Sequence, residues 1–123
     1  MIRIIIAGSR NFNDYTLLEQ SLMDYIAGKF DPNKIEIISG GARGADSLGE
    51  RFARECQLKL TRFPAQWDKY GRSAGYRRNT EMANYALKET GVLFAFWDGQ
   101  SRGTNHMIEY SKERGLEVHV VRF

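Results

Sequence analysis

The chain has 123 residues, 42% hydrophobic and 27% charged, with a formal net charge of +3. That size and balance fit one globular domain with a single core, and no apolar run approaches the ~20 residues that span a bilayer. The charge is too small to argue by itself for nucleic-acid binding, and a single cysteine, Cys56, excludes an internal disulfide and a cysteine-rich metal site.

Segments of two kinds alternate along the chain. Ile2–Ala7 is a β-branched apolar run that reads as a buried strand. It is too short for a secretory signal and leads straight into polar Ser9-Arg10-Asn11, so a cytoplasmic location is expected. Leu18, Leu22, Tyr25 and Ile26 recur at helical spacing, with Asn13, Asp14 or Thr16 available as N-cap and Thr16-x-x-Glu19 as a capping box. After the turn Asp31-Pro32-Asn33, a second strand is expected over Ile35–Ile38. Leu48, Phe52 and Cys56 then give the next helix an apolar stripe. Leu58–Phe63 reads as a third strand ended by Pro64, and Ala65–Ala74 as a polar loop holding Trp67 and Tyr70. A third helix follows over about Gly75–Leu87, with Tyr76, Asn79, Ala83, Ala86 and Leu87 on one side. Val92–Trp97 is a fourth strand, Met107, Ile108 and Ser111 mark a fourth helix, and Val118–Val121 a last strand.

Strands alternating with helices imply βαβ units. The expected fold is α/β, a single domain: a three-layer, Rossmann-like doubly wound parallel sheet of about five strands. In such sheets ligands sit at the carboxyl ends of the strands, beside the switch point in strand order. Most of the glycine and arginine punctuation falls on that edge.

The first strand ends in Gly8-Ser9-Arg10 and the second in Ser39-Gly40-Gly41-Ala42-Arg43-Gly44-Ala45-Asp46. The third leads to Trp67, Tyr70 and Arg77-Arg78-Asn79, and the fourth ends in Asp98-Gly99-Gln100-Ser101-Arg102-Gly103-Thr104. A glycine-rich turn before a helix brings backbone amides close to an anion, and the helix start adds partial positive charge. Such turns also serve simply to connect strand to helix. Two of them, each carrying an arginine (Arg43 and Arg102), favour a phosphate-bearing ligand, because arginine matches phosphate with a planar fork.

The loop is not a P-loop, since no Gly-Lys-Ser/Thr ends it. Its Gly40-Gly41-x-x-Gly44 spacing misses the dinucleotide fingerprint, and Leu60-Thr61-Arg62 offers no acid for a ribose. Trp67, Tyr70, Tyr76 and Trp97 are aromatics that either stack on a base or complete the core. Trp67 and Tyr70, in a polar loop, are the better stacking candidates. Asp46, Asp98 and His106 are the candidate proton-handling groups, although Asp46 also sits where a helix cap would. Two separated histidines do not suggest a metal, and no resident cofactor is expected.

The motifs Gly8-Ser9-Arg10, Ser39–Asp46, Phe63-Pro64-Ala65-x-Trp67, Ala74-Gly75-Tyr76-Arg77-Arg78-Asn79-x-x-Met82-Ala83 and Ser101-Arg102-Gly103-Thr104 follow one another in order. Together they resemble the YspA-like branch of the SLOG superfamily, which is made up of bacterial and phage proteins. That superfamily includes the cytokinin-activating, lysine decarboxylase-like phosphoribohydrolases and DNA-processing protein A. The resemblance implies a Rossmann-like pocket for a nucleotide or nucleotide-derived, ADP-ribose-like molecule, and a homodimer or larger assembly. Arg78 falls on the catalytic arginine of the phosphoribohydrolases. Their catalytic glutamate is replaced by His106, and their glycine-rich segment is matched only through Gly103-Thr104.

Three functions are therefore expected, in this order. The first is a binding module that senses or sequesters a nucleotide. The second is a phosphoribohydrolase-like enzyme cleaving an N-glycosidic or phosphoester bond, using Arg78 with Asp46, Asp98 or His106. The third is a binder of single-stranded nucleic acid, because Ser39–Asp46 is similar to a loop of DNA-processing protein A. The expected ligand contacts are Gly8, Ser9, Arg10, Ser39, Gly40, Gly41, Ala42, Arg43, Gly44, Asp46, Trp67, Tyr70, Arg77, Arg78, Asn79, Asp98, Ser101, Arg102, Gly103 and Thr104.

Overall fold

The most apolar runs of the chain form the middle of the sheet. In the computed structural model, which describes residues Met1–Phe123, β1 (Ile2–Gly8) lies between β2 (Ile35–Ser39) and β4 (Thr90–Trp97). The edges are β3 (Lys59–Arg62) and β5 (Glu117–Arg122). All four pairings are parallel and the strand order is β3-β2-β1-β4-β5. Central strands are covered on both faces, so both sets of alternating side chains must be apolar. Ile4 and Ile6 face one core with Ile37, Val92 and Phe96, while Ile5 and Ala7 face the other with Ile38, Leu93 and Ala95.

Helices α1 (Tyr15–Ile26) and α2 (Ala45–Glu55) cover the first face, through Leu18, Leu22, Phe52 and Ala53. Helices α4 (Ala74–Ala86) and α5 (Arg102–Arg114) cover the second, through Met82, Ala83, Met107 and Ile108. The chain crosses from one half of the sheet to the other between β3 and β4, which leaves the switch point between β1 and β4. The three-layer Rossmann-like fold expected from the sequence is the fold observed.

Several local expectations are corrected. Asp14 caps α1, its carboxylate accepting from the Leu17 amide at 3.1 Å, and Thr16 lies inside the helix, so no capping box forms. The 65–74 loop contains a helical turn, α3 (Trp67–Tyr70), followed by a 3-10 turn at Gly71–Ser73. Tyr76 is 43% exposed, because the buried stripe of α4 runs through Asn79, Met82, Ala83 and Ala86. On α2 the fully buried positions are Ala45, Gly49, Phe52 and Ala53, whereas Leu48 is only partly covered and Cys56 is the C-cap. Small residues there let the helix lie close on β1.

Candidate functional site

The carboxyl ends of β1 and β4 are tied together before any ligand is considered. The Ser9 amide donates to the Phe96 carbonyl at 2.9 Å, and the Asp98 amide donates to Ser9 Oγ at 3.1 Å. The Ser9 carbonyl in turn accepts from Phe12 at 3.1 Å and Ala45 at 3.4 Å. Gly8 leaves no room for a side chain: a Cβ there would overlap the Phe96 carbonyl and lie 2.7 Å from Ala45 Cβ. Gly8 and Ser9 thus hold the start of α2 and the end of β4 against β1.

The loop after β2 is folded partly on itself. Ser39 Oγ accepts from the Gly41 amide at 3.0 Å and donates to Glu50 Oε2 at 2.7 Å, and the Ala42 amide donates to Asp46 Oδ2 at 3.3 Å. Those loop amides are therefore turned inward, contrary to a simple phosphate cradle. Lining residues whose amides have no acceptor within the chain include Arg10 and Asn11 after β1, Arg43 and Asp46 at the start of α2 and Gly103 at the start of α5. Gly44, at φ 82°, caps α2 and packs on the Ser9 carbonyl, a conformation and clearance that suit glycine.

Between these elements and α4 lies a cavity of about 770 Å³, within the range of small-ligand sites. Gly8, Ser9 and Arg10 line it from β1, and Ala42, Arg43 and Asp46 from the second loop. Arg78 and Asn79 line it from α4, and Asp98, Ser101, Gly103 and Thr104 from the fourth loop. Trp67, 50% exposed, stands at its mouth. Gly40 and Gly41 line a neighbouring depression with Pro64 and Ala65, to which Arg10, Arg43 and Arg78 also contribute.

Arg78 is the organised cation of the site. Its Nη1 donates to the Gly40 carbonyl at 2.6 Å and its Nε to Asn79 Oδ1 at 3.2 Å. Burial lowers its pKa from the ordinary arginine range, against the attraction of Asp46. Asp46 lies on the other side of Gly40, where a Cβ would overlap the guanidinium and stand 2.8 Å from Asp46 Oδ2. Burial pushes the Asp46 carboxyl up to about 6, and Glu50 adds to this. Arg78 and the Ala42 and Gly40 amides oppose it. Asp98 is the opposite case: amides of Gln100 and Ser101, each at 2.9 Å from Oδ1, lower its pKa.

Other expected residues lie outside the cavity. Ser39 is buried beneath the loop. Arg77 donates to Ser73 Oγ at 3.0 Å and its guanidinium lies 4.3 Å from the Tyr70 ring centre, so Arg77 and Tyr70 pair with each other at the surface. Arg102 is exposed at the start of α5. Trp97 Nε1 donates to the Ser101 carbonyl at 3.0 Å, bracing the fourth loop. His106 stands behind Asn79 and does not line the cavity.

The structure also adds lining residues that were not expected, Ala7, Asn11, Arg72, Gly75, Met82 and Met107, and of the aromatics considered for stacking it brings Tyr76 to the wall beside Trp67. Gly75, Asn79 and Met82 are a helical face of α4 and Gly103 and Met107 one of α5, so spacing from Asn79 and Gly103 pointed to Gly75, Met82 and Met107. Arg72 carried no such signal.

The family described as the YspA, cpYpsA-related SLOG family matches residues 2–70 of the chain. The gene 61 protein of Mycobacterium phage D29 is 33% identical over 123 residues, covering 96% of this chain and 94% of that protein. No solved structure matches.

Proposed function

The chain belongs to the YspA, cpYpsA-related SLOG family, and from that premise we propose that its cavity binds a phosphate-bearing nucleotide or nucleotide-derived ligand, as a sensor or sequestering module. The observation that carries this reading is the convergence of Arg10, Arg43, Arg72 and Arg78 on one cavity at the β1–β4 switch point. Arg10, Arg43 and Arg72 have no carboxylate or hydrogen-bond partner within the chain, and the starts of α2 and α5 face the same space. Phosphate satisfies such forks bidentately and is favoured at helix starts. Trp67 at the mouth supplies a flat face for a base.

Thermal unfolding with inorganic phosphate, nucleoside mono- and diphosphates and ADP-ribose tests the reading. A ligand that binds the folded state at about 100 times its Kd adds roughly 2.7 kcal/mol. R78A should abolish the shift, because it removes the half-buried fork. No shift with any phosphate compound refutes the reading. A shift with single-stranded oligonucleotides alone, steeply weakened by salt, would instead favour nucleic-acid binding.

A second reading, a nucleotide hydrolase, draws on Asp46. A carboxyl that titrates at about 6 beside a cationic Arg78 suits general acid–base work near neutral pH. Chromatography of nucleoside monophosphates and ADP-ribose after incubation decides between the two. Intact ligand that nevertheless binds leaves the sensor reading alone.

A further inference from the structure

Asn79, only 5% exposed, joins the two sides of the site, and its neighbours fix how its amide is turned. Arg78 Nε donates to Oδ1 at 3.2 Å, while Nδ2 donates to the Gly103 carbonyl at 3.1 Å. A guanidinium cannot accept and a carbonyl cannot donate, so the oxygen and nitrogen are assigned by their partners. The second Nδ2 hydrogen is aimed at His106 Nδ1, 3.2 Å away. Nδ1 must therefore be the unprotonated nitrogen, and the imidazole is neutral with its proton on Nε2. A doubly protonated ring would set N–H against N–H across this part-buried contact.

We infer that His106 is a positioning residue acting from outside the cavity. As a neutral acceptor it holds Asn79, Asn79 holds the Arg78 guanidinium against the Gly40 carbonyl, and protonation of His106 frees that arginine and weakens anion binding. This regulates the site described above, so its ligand-binding half rests on that reading, whereas the hydrogen-bond relay does not. Tyr76 of α4 and Tyr110 of α5 flank the ring, at centroid distances of 4.6 Å and 6.0 Å, and Glu113 is the charge that acts on it. Burial outweighs Glu113 and keeps His106 below the usual histidine range. Asp46 titrates nearby with the opposite sense, because its protonation removes a negative charge from the cavity.

Two measurements on the full chain test this. Nitrogen-15 NMR of the free protein should show a bare Nδ1 and a protonated Nε2 at pH 7.5. On acidification the Arg78 Nε–H and Asn79 side-chain amide signals should move with the His106 titration. ADP affinity is then followed from pH 5 to 8 in wild type and His106→Asn, whose Oδ1 replaces the Nδ1 acceptor and does not titrate. The variant should keep the affinity seen at high pH. As His106 protonates, wild type should weaken relative to it by about five-fold, one hydrogen bond's worth. Asp46 is common to both and cancels. An Arg78 signal that ignores the His106 titration, or identical pH profiles, overturns the inference. If ADP binds neither protein at any pH, ADP falls as a ligand of this cavity, and the NMR titration alone decides the relay.

Discussion

Asp46 combines a nearly buried carboxyl with a place in the cavity wall, and burial there raises its pKa to about 6. A raised acid pKa means that the folded chain holds a proton the unfolded chain has released. Stability therefore falls as pH rises from about 4 to about 6. Asp46→Asn keeps an acceptor for the Ala42 amide without the charge. It should be more stable than wild type at pH 7.5, by on the order of 2–3 kcal/mol, and by much less at pH 4. Urea unfolding at the two pH values checks this, and an equal difference at both rejects it. The residue was legible in the sequence because it closes a glycine-rich turn. The partners that set its pKa were not, since Arg78 comes from a helix that begins after another strand.

Helix α2 shows how closely one element must approach another for the cavity to form. Its N-terminal half is pressed on β1, with Ala45 against Gly8, and Gly49 against Ile6. Gly8→Ala would force a methyl group into the Phe96 carbonyl and Ala45, which are backbone and packed core. A loss of about 3 kcal/mol is expected, at the upper end for overpacking, read by denaturant unfolding. Gly40→Ala is a different case: its methyl would displace two side chains, Arg78 and Asp46. ADP affinity should then drop at least ten-fold while the fold persists, as circular dichroism and calorimetry would show. Asp14→Ala, remote from the cavity, should cost about 1 kcal/mol through loss of the α1 cap and leave ADP affinity unchanged.

Away from the cavity, a buried ionic network binds the layers together. Glu36, fully buried in β2, accepts from Arg3 of β1 at 3.1 Å, Thr61 of β3 at 2.6 Å and Tyr85 of α4 at 2.5 Å. Burial raises its pKa, but these donors and Lys59 outweigh it, and the net shift is downward. Its stabilisation is therefore present above the ordinary glutamate pKa and lost as pH falls through the lowered one. Tyr85→Phe removes one donor and should cost about 2 kcal/mol at pH 7, a penalty that shrinks in acid as Glu36 protonates. Equal penalties at pH 7 and pH 3 would contradict this. No helix of the molecule is long and apolar enough to cross a membrane.

The order of strands and helices followed from the sequence, because each central strand is an apolar run and each helix has its own periodic stripe. The edge carrying the cavity followed too, since parallel βα units place their loops at the strands' carboxyl ends. Edge strands were harder to bound: β3 and β5 are only partly covered and mix Lys59 or Glu117 with their apolar residues. What only the tertiary structure decided was which loop residues face the cavity. Arg77 and Arg78 are adjacent in sequence, but the helical turn of 100° sends one to Tyr70 and the other to Gly40. The same holds for Ser39–Asp46: its composition marked an anion loop, yet the folded chain uses the Gly41 and Ala42 amides internally and leaves Arg43 and the helix start facing the cavity. Composition reports what a loop can bind, whereas hydrogen bonds closed within the fold determine which groups remain to bind it.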